Sequence, residues 1–194
     1  MNHLAHALIA VRTGTSIAGN LMGDFVKGRP EDRYDGALLE GIRLHRAVDA
    51  MTDDHPVFRR SRERMRPPFR RYAGILVDIF YDHVLARNWA AHSDEPLRPF
   101  VDRVYDELIE HRPRLPERMH RFVDYMLGTD LLMSYETHEG IVQALTGISH
   151  RMSRENPLDR AGEVLVEEAV GLDADFAEFF PDLLVRISAK ANKA

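Results

Sequence analysis

Residues Ala73–Ala86 read AGILVDIFYDHVLA. Fourteen residues without glycine or proline past the second position suit a helix, and apolar side chains surround nearly its whole circumference. Such a helix is covered on most sides by others. Asp78, Asp82 and His83 sit inside this apolar frame. Asp78 and Asp82 are four residues apart and face the same way, so two like charges meet at a spacing where they repel. A low-dielectric setting demands a shared proton, an arginine or a metal ion between them. His83 adds a nitrogen donor nearby.

Outward from this segment the chain reads as helix almost throughout. The pattern predicts helices near 2–11, 16–27, 35–54, 69–91, 97–111, 116–132, 138–151, 158–170 and 173–191, with no alternation long enough for a sheet. Proline and glycine mark the joints, at Gly28-Arg29-Pro30, Pro67-Pro68, Pro96 to Pro99, Pro113 to Pro116, Asn156-Pro157 and Pro181. Asp35 is a fair N-cap and Gly28 a fair helix stop. The expected fold is all-α, a single compact multi-helical domain spanning 1–194, because no linker divides the 194 residues into two cores.

The hydrophobic fraction of 44% argues against disorder. No apolar stretch is long enough to span a bilayer, and the opening Met1-Asn2-His3-Leu4-Ala5-His6 does not read as a secretory leader. Absence of cysteine removes disulfides and thiolate metal sites, so any metal takes nitrogen and oxygen ligands. A reducing cytoplasm fits. The net charge of −5 conceals an asymmetry: residues 58–72 carry seven arginines against one glutamate, and residues 159–182 carry eight acids against one arginine. The basic run is either a face for an anionic partner or a solvated helix surface. Nucleic acid is a poor candidate, given the negative overall charge and no interleaved exposed aromatics.

Further inward-facing polar groups appear elsewhere. In the helix near 35–54, Leu38, Ile42, His45 and Asp49 share one stripe, so His45 and Asp49 point at one space. His3 and His6 are three apart, with His3 expected to be partly exposed. Asn20 and Asp24 are four apart in a segment whose Gly19 and Gly23 suggest close packing of another backbone. Several helices each offering a carboxylate or imidazole is how helical metal sites are built. Such a donor set suits manganese, magnesium or iron(II), and imidazole also permits zinc.

Four ordered segments carry a family resemblance: Asn2-x-Leu4-Ala5-His6, Gly19-Asn20-Leu21-x-x-Asp24-Phe25-Val26, Gly41-Ile42-x-x-His45-Arg46-x-x-Asp49-x-x-Thr52-Asp53, and Asp78-x-x-x-Asp82-His83-x-Leu85. Together they resemble the acyl carrier protein phosphodiesterases, most specifically over the first 90 or so residues and more weakly to Phe179-Phe180-Pro181. The resemblance implies an HD-like helical fold, manganese, and hydrolysis of the phosphodiester joining 4′-phosphopantetheine to a serine of holo-acyl carrier protein. An adjacent His-Asp pair, the mark of the wider HD-like group, is absent: Arg46 follows His45, and the later pair is reversed as Asp82-His83.

On this basis His6, Asp24, His45, Asp49 and Asp78 are the expected metal ligands. Asp82 or His83 is expected to supply the acid for the departing serine oxygen. Arg46 either clamps a phosphate oxygen or pairs with Asp49 or Asp53. Asn20 is expected to meet substrate. Arg59, Arg60, Arg62, Arg64, Arg66, Arg70 and Arg71 are expected to dock the acidic carrier protein. Two other readings remain at this point: an HD-like nucleotide phosphohydrolase, and a non-catalytic helical module with a basic face. Oligomeric state is not encoded in any recognisable pattern.

Overall fold

The chain begins with α1 (His3–Thr13), which ends at Gly14 in the left-handed region (φ 67°). A short α2 (Ile17–Leu21) follows, and then the long α3 (Gly36–Asp54). Next come α4 (Pro56–Arg64), α5 (Ala73–Arg87), α6 (Leu97–Glu110), α7 (Glu117–Gly128), the single-turn α8 (Leu131–Ser134), α9 (His138–Arg151) and α10 (Gly162–Ala191). This computed structural model describes residues 1–191, and among them there is helix and turn but no strand. The all-α expectation therefore holds.

The Ala73–Ala86 segment is the buried helix its composition demands. Leu76, Val77, Ile79, Phe80, Tyr81, Val84 and Leu85 are all buried, on every side of α5. Helices α1, α4, α9 and α10 all pack against it. Helices α2 and α3 cross at contact distance between backbones. A Cβ on Gly19 would stand 2.6 Å from the Leu38 carbonyl oxygen, and one on Gly41 would stand 2.6 Å from the Asn20 nitrogen. The glycine signal for close approach is thus realised at Gly19 against backbone, and at Gly23 against the His45 ring, which a Cβ would meet at 2.1 Å.

Five expectations are corrected. Helix α2 stops at Leu21 rather than 27, because the chain turns at Met22–Phe25 to pass the His45 ring. The run 116–132 is broken at Asp130, which takes a positive φ of 48°. The basic run contains an unforeseen helix, α4, with Pro56 in its first turn and the His55 ring accepting the Val57 N–H at 3.2 Å. The last two predicted helices are one: residues 158–160 form only a 3-10 turn, and α10 runs through Pro181. An interior proline costs about 3 kcal/mol. The buried stripe Leu165, Leu172, Phe176, Phe179, Phe180, Leu183 and Ile187 outweighs it along the helix. Asp35 occupies the N-cap of α3 without capping it, its carboxylate accepting from Arg114 at 3.0 Å instead.

Candidate metal centre

His6 from α1 and His45 from α3 stack with ring centroids 4.1 Å apart, and both are buried. Both turn Nε2 toward one carboxylate: His6 lies 3.1 Å from Asp49 Oδ1, and His45 lies 3.0 Å from Asp49 Oδ2. The donor atoms of His6, His45 and Asp49 all fall within 4.8 Å of one another. Asp24 approaches from the turn after α2, its Oδ1 3.4 Å from His45 Nε2. Asp78, on α5, completes the ring of acids. The amino group of Met1 stands 2.9 Å from Asp78 Oδ1 and 3.6 Å from Asp49 Oδ1. Asp24, Asp49 and Asp78 open onto a cleft of about 300 Å³ that Met1, His3 and Asp53 also line.

The electrostatics suit a cation. Burial lowers the His6 imidazole to about 4, so the ring is neutral at pH 7. Asn20 Oδ1 lies 2.8 Å from His6 Nδ1. A carbonyl oxygen can only accept, so Nδ1 carries the proton and Nε2 presents a lone pair to the Asp49 carboxylate. Lone pair facing carboxylate is repulsive unless a positive charge lies between them. Turning the Asn20 amide would reverse the tautomer, aim an N–H at Asp49, and remove the nitrogen donor. His45 behaves oppositely. Burial opposes its protonation, but hydrogen bonds to Asp24 and Asp49 outweigh burial and raise it to about 9. Burial pushes the Asp49 carboxyl up, but the hydrogen bond from His45 outweighs it and holds Asp49 well below the usual carboxylate range. Burial pushes the Asp78 carboxyl up, despite the amino group beside it. Two imidazole nitrogens and up to three carboxylates, clustered where a shared proton now holds them, fit a divalent ion.

Five of the expected site residues are thus brought together: His6, Asp24, His45, Asp49 and Asp78. Others lie elsewhere. Asp82 is wholly buried and accepts the N–H groups of Leu4 at 2.7 Å and Ala5 at 3.0 Å. It caps α1 from a neighbouring helix, and burial pushes its carboxyl up to about 7 against the lowering effect of those two donors. His83 turns away, its Nδ1 2.6 Å from the Tyr135 carbonyl, into a different cavity beside His138 and Asp173. Arg46 adopts neither expected role; it donates to the carbonyls of Val26 at 2.8 Å and Gly28 at 3.0 Å and secures the loop after Asp24. Asn20 is fully buried against His6, where substrate does not reach. His3, partly exposed as expected, lines the cleft, and so does Asp53. The short spacing of His3 to His6 was the available signal.

The basic run divides in two. Arg60 and Arg64 reach across to buried Asp175, with Nε–oxygen distances of 2.7 and 2.8 Å, and Arg60 also meets Glu178. They hold α4 to α10. Arg59, Arg62, Arg66 and Arg70 line an open groove of about 580 Å³, and Arg62, Arg66, Arg70 and Arg71 make no ion pair among the described residues.

A family model described as acyl carrier protein phosphodiesterase matches residues 1–183. The chain belongs to this family. Its similarity to named acyl carrier protein phosphodiesterases extends over almost the full length. The protein from Escherichia coli O157:H7 is 33% identical over 192 residues, 98% of this chain and all of the relative. The protein from Salmonella agona (strain SL483) is 34% identical over the same span. No solved structure matches, so the HD-like description has no structural relative beside it. Membership in a phosphodiesterase family makes the chain an enzyme rather than a passive helical module. No helix among the described residues is long and apolar enough to cross a membrane.

Proposed function

We propose that this acyl carrier protein phosphodiesterase family member hydrolyses the phosphodiester between 4′-phosphopantetheine and the serine of holo-acyl carrier protein, releasing apo-carrier and 4′-phosphopantetheine, with a divalent ion held by His6, His45, Asp49 and Asp24. The observation that carries the reading is the convergence of three donors from α1 and α3, of which Asp49 lines an open acidic cleft. Manganese is the ion the family resemblance implies, and the nitrogen–oxygen donor set accepts it.

When bound, the ion neutralises phosphodiester charge and lowers the pKa of coordinated water. The protein's own groups do the rest. Asn20 fixes the His6 tautomer, the outer hydrogen bond that orients an imidazole ligand. Asp49 faces both rings and sets their spacing. Asp78 opens onto the same cleft, and its upward-shifted carboxyl is suited to holding a proton for the departing serine oxygen. It takes the role expected of Asp82 or His83. Arg62, Arg66 and Arg70 supply positive surface for an acidic carrier protein, and the reaction belongs in the cytoplasm, where that carrier would be met.

The test follows the mass of purified holo-acyl carrier protein incubated with this protein, with and without manganese. Loss of the prosthetic-group mass only with metal is expected. An unchanged carrier mass under both conditions would refute the assignment.

A further inference from the structure

A second recess opens next to the metal cleft. Phe25, Phe122, Tyr125 and Gly147 form its walls and Arg118, Arg121 and Arg151 its rim, around about 590 Å³, within the range of small-ligand pockets. The two spaces share walls at three places. Asp24 lines the cleft and its neighbour Phe25 the recess; Ile148 lines the cleft and Gly147 the recess. His3 in the cleft meets Phe122 in the recess at 4.7 Å between ring centroids, and Phe122 meets Phe25 at 5.3 Å. Arg118 fixes this junction by donating to the Asp24 and Phe25 carbonyls. Arg151 lies over the Tyr125 ring at 5.1 Å, and Arg121 has no ion-pair or hydrogen-bond partner among the described residues.

We infer that the groove walled by Phe25, Phe122 and Tyr125 receives the pantetheine arm of the substrate. This rests on the phosphodiesterase reading above. A phosphodiester at the donor cluster has two branches, one polypeptide and one slender chain. The arginine groove also adjoins the cleft, where Arg59 donates to the Asp53 carbonyl at 3.3 Å. Four arginines in an open groove suit an acidic protein surface. The aromatic recess offers something different. Half-buried rings match the methylenes and geminal methyls of a neutral arm, and guanidinium groups donate to its two amide carbonyls. No carboxylate lines it.

Free pantetheine, which lacks the phosphate, is the probe, with calorimetry or ligand-observed NMR as the readout. The Asp49→Asn protein serves beside the wild type, so turnover plays no part. A Cβ at Gly147 would stand 2.9 Å from the Tyr125 hydroxyl, so Gly147→Leu fills the groove from a helix position that favours leucine over glycine. Phe122→Ala removes a wall. Both wild type and Asp49→Asn are expected to bind pantetheine alike, Gly147→Leu at least tenfold more weakly, and Phe122→Ala at least threefold more weakly. No binding to the wild type, or equal binding to every variant, overturns the inference. A matching tenfold loss of apo-carrier binding in Gly147→Leu also overturns it, because the polypeptide would then occupy the groove. Failure of the broader reading looks different: the wild type with manganese leaves the holo-carrier mass intact, whatever pantetheine does.

Discussion

Replacing Gly23 with alanine adds one methyl group and tests whether the metal centre depends on the closeness of two segments. The added Cβ would lie 2.1 Å from both Cγ and Cδ2 of His45. Carbon atoms rest at about 3.5–4.0 Å, so the ring must retreat by about 1.5 Å or the turn must lift by that much. Gly23 has no positive φ, so alanine is compatible with the backbone and any effect comes from the clash. Metal–nitrogen distances tolerate about 0.2 Å, and a 1 Å misplacement at a reacting centre costs about 10²-fold. Gly23→Ala is therefore expected to weaken manganese binding at least about tenfold and to lower kcat/KM on holo-carrier about 100-fold. The overpacking should cost about 1–3 kcal/mol of stability. Manganese titration by calorimetry or electron paramagnetic resonance measures the first, carrier mass against time the second, and denaturant unfolding the third. A Gly23→Ala protein that binds manganese and turns over like the wild type removes His45 from the site.

Five other outcomes follow from the same geometry. His45, raised to about 9, is protonated at pH 7 and must lose that proton to bind metal, so affinity should rise about tenfold per pH unit up to about 9 and then level; calorimetry in buffers of different ionisation enthalpy should count about one released proton, and a count of zero contradicts the scheme. In the metal-free protein the same shift stabilises the fold fully below about 6.5, and that contribution fades as pH rises through about 9, which thermal unfolding across pH will show. Asp49→Asn should abolish metal binding, whereas Asp78→Asn should keep it and lower kcat about 10²-fold, so equal metal loss in both would make Asp78 a ligand rather than a proton donor. Glutamate at Arg62, Arg66 and Arg70 should raise KM and flatten its salt dependence at unchanged metal content, whereas Arg60→Glu and Arg64→Glu strand buried Asp175 and should destabilise by roughly 3–5 kcal/mol in chemical unfolding. Asn20→Asp, which can only accept from His6, should retain metal, and Asn20→Leu should lose about 10–100-fold in affinity; the reverse order means that the tautomer is the other one.

Helical periodicity found α3 and the buried nature of α5 because their apolar positions repeat on one face or on all of them. It missed α4, where five charged residues mask a short stripe of Val57, Phe58 and Ser61, and it split α10 at a proline that buried phenylalanines override. The spacing of His45 and Asp49 was sufficient to place them together, since one helix turn fixes it. The Asp78–Asp82 spacing was correct and its interpretation incomplete. The two point along one stripe, yet the start of α1 lies over the second, and its N–H groups take up the carboxylate oxygens that were expected to meet a metal or a substrate. No local pattern foretells which helix end will come to rest on a buried acid. The fate of the arginines was equally hidden, because Asp175 lies 115 residues from Arg60 in the chain.

The bare crossing of α2 and α3 has one more implication. Gly19 and Gly41 bring main chain onto main chain, so Asn20, which meets His6 of α1, and the His45–Asp49 pair of α3 are carried by segments that have no side-chain cushion between them. A cushioned joint can absorb a changed neighbour by rotating a rotamer; this one has none to rotate. Drift in sequence at either position would shift Asn20 and the turn that carries Asp24 bodily against His45 and Asp49, making the site intolerant of change at two residues that never face the solvent cleft.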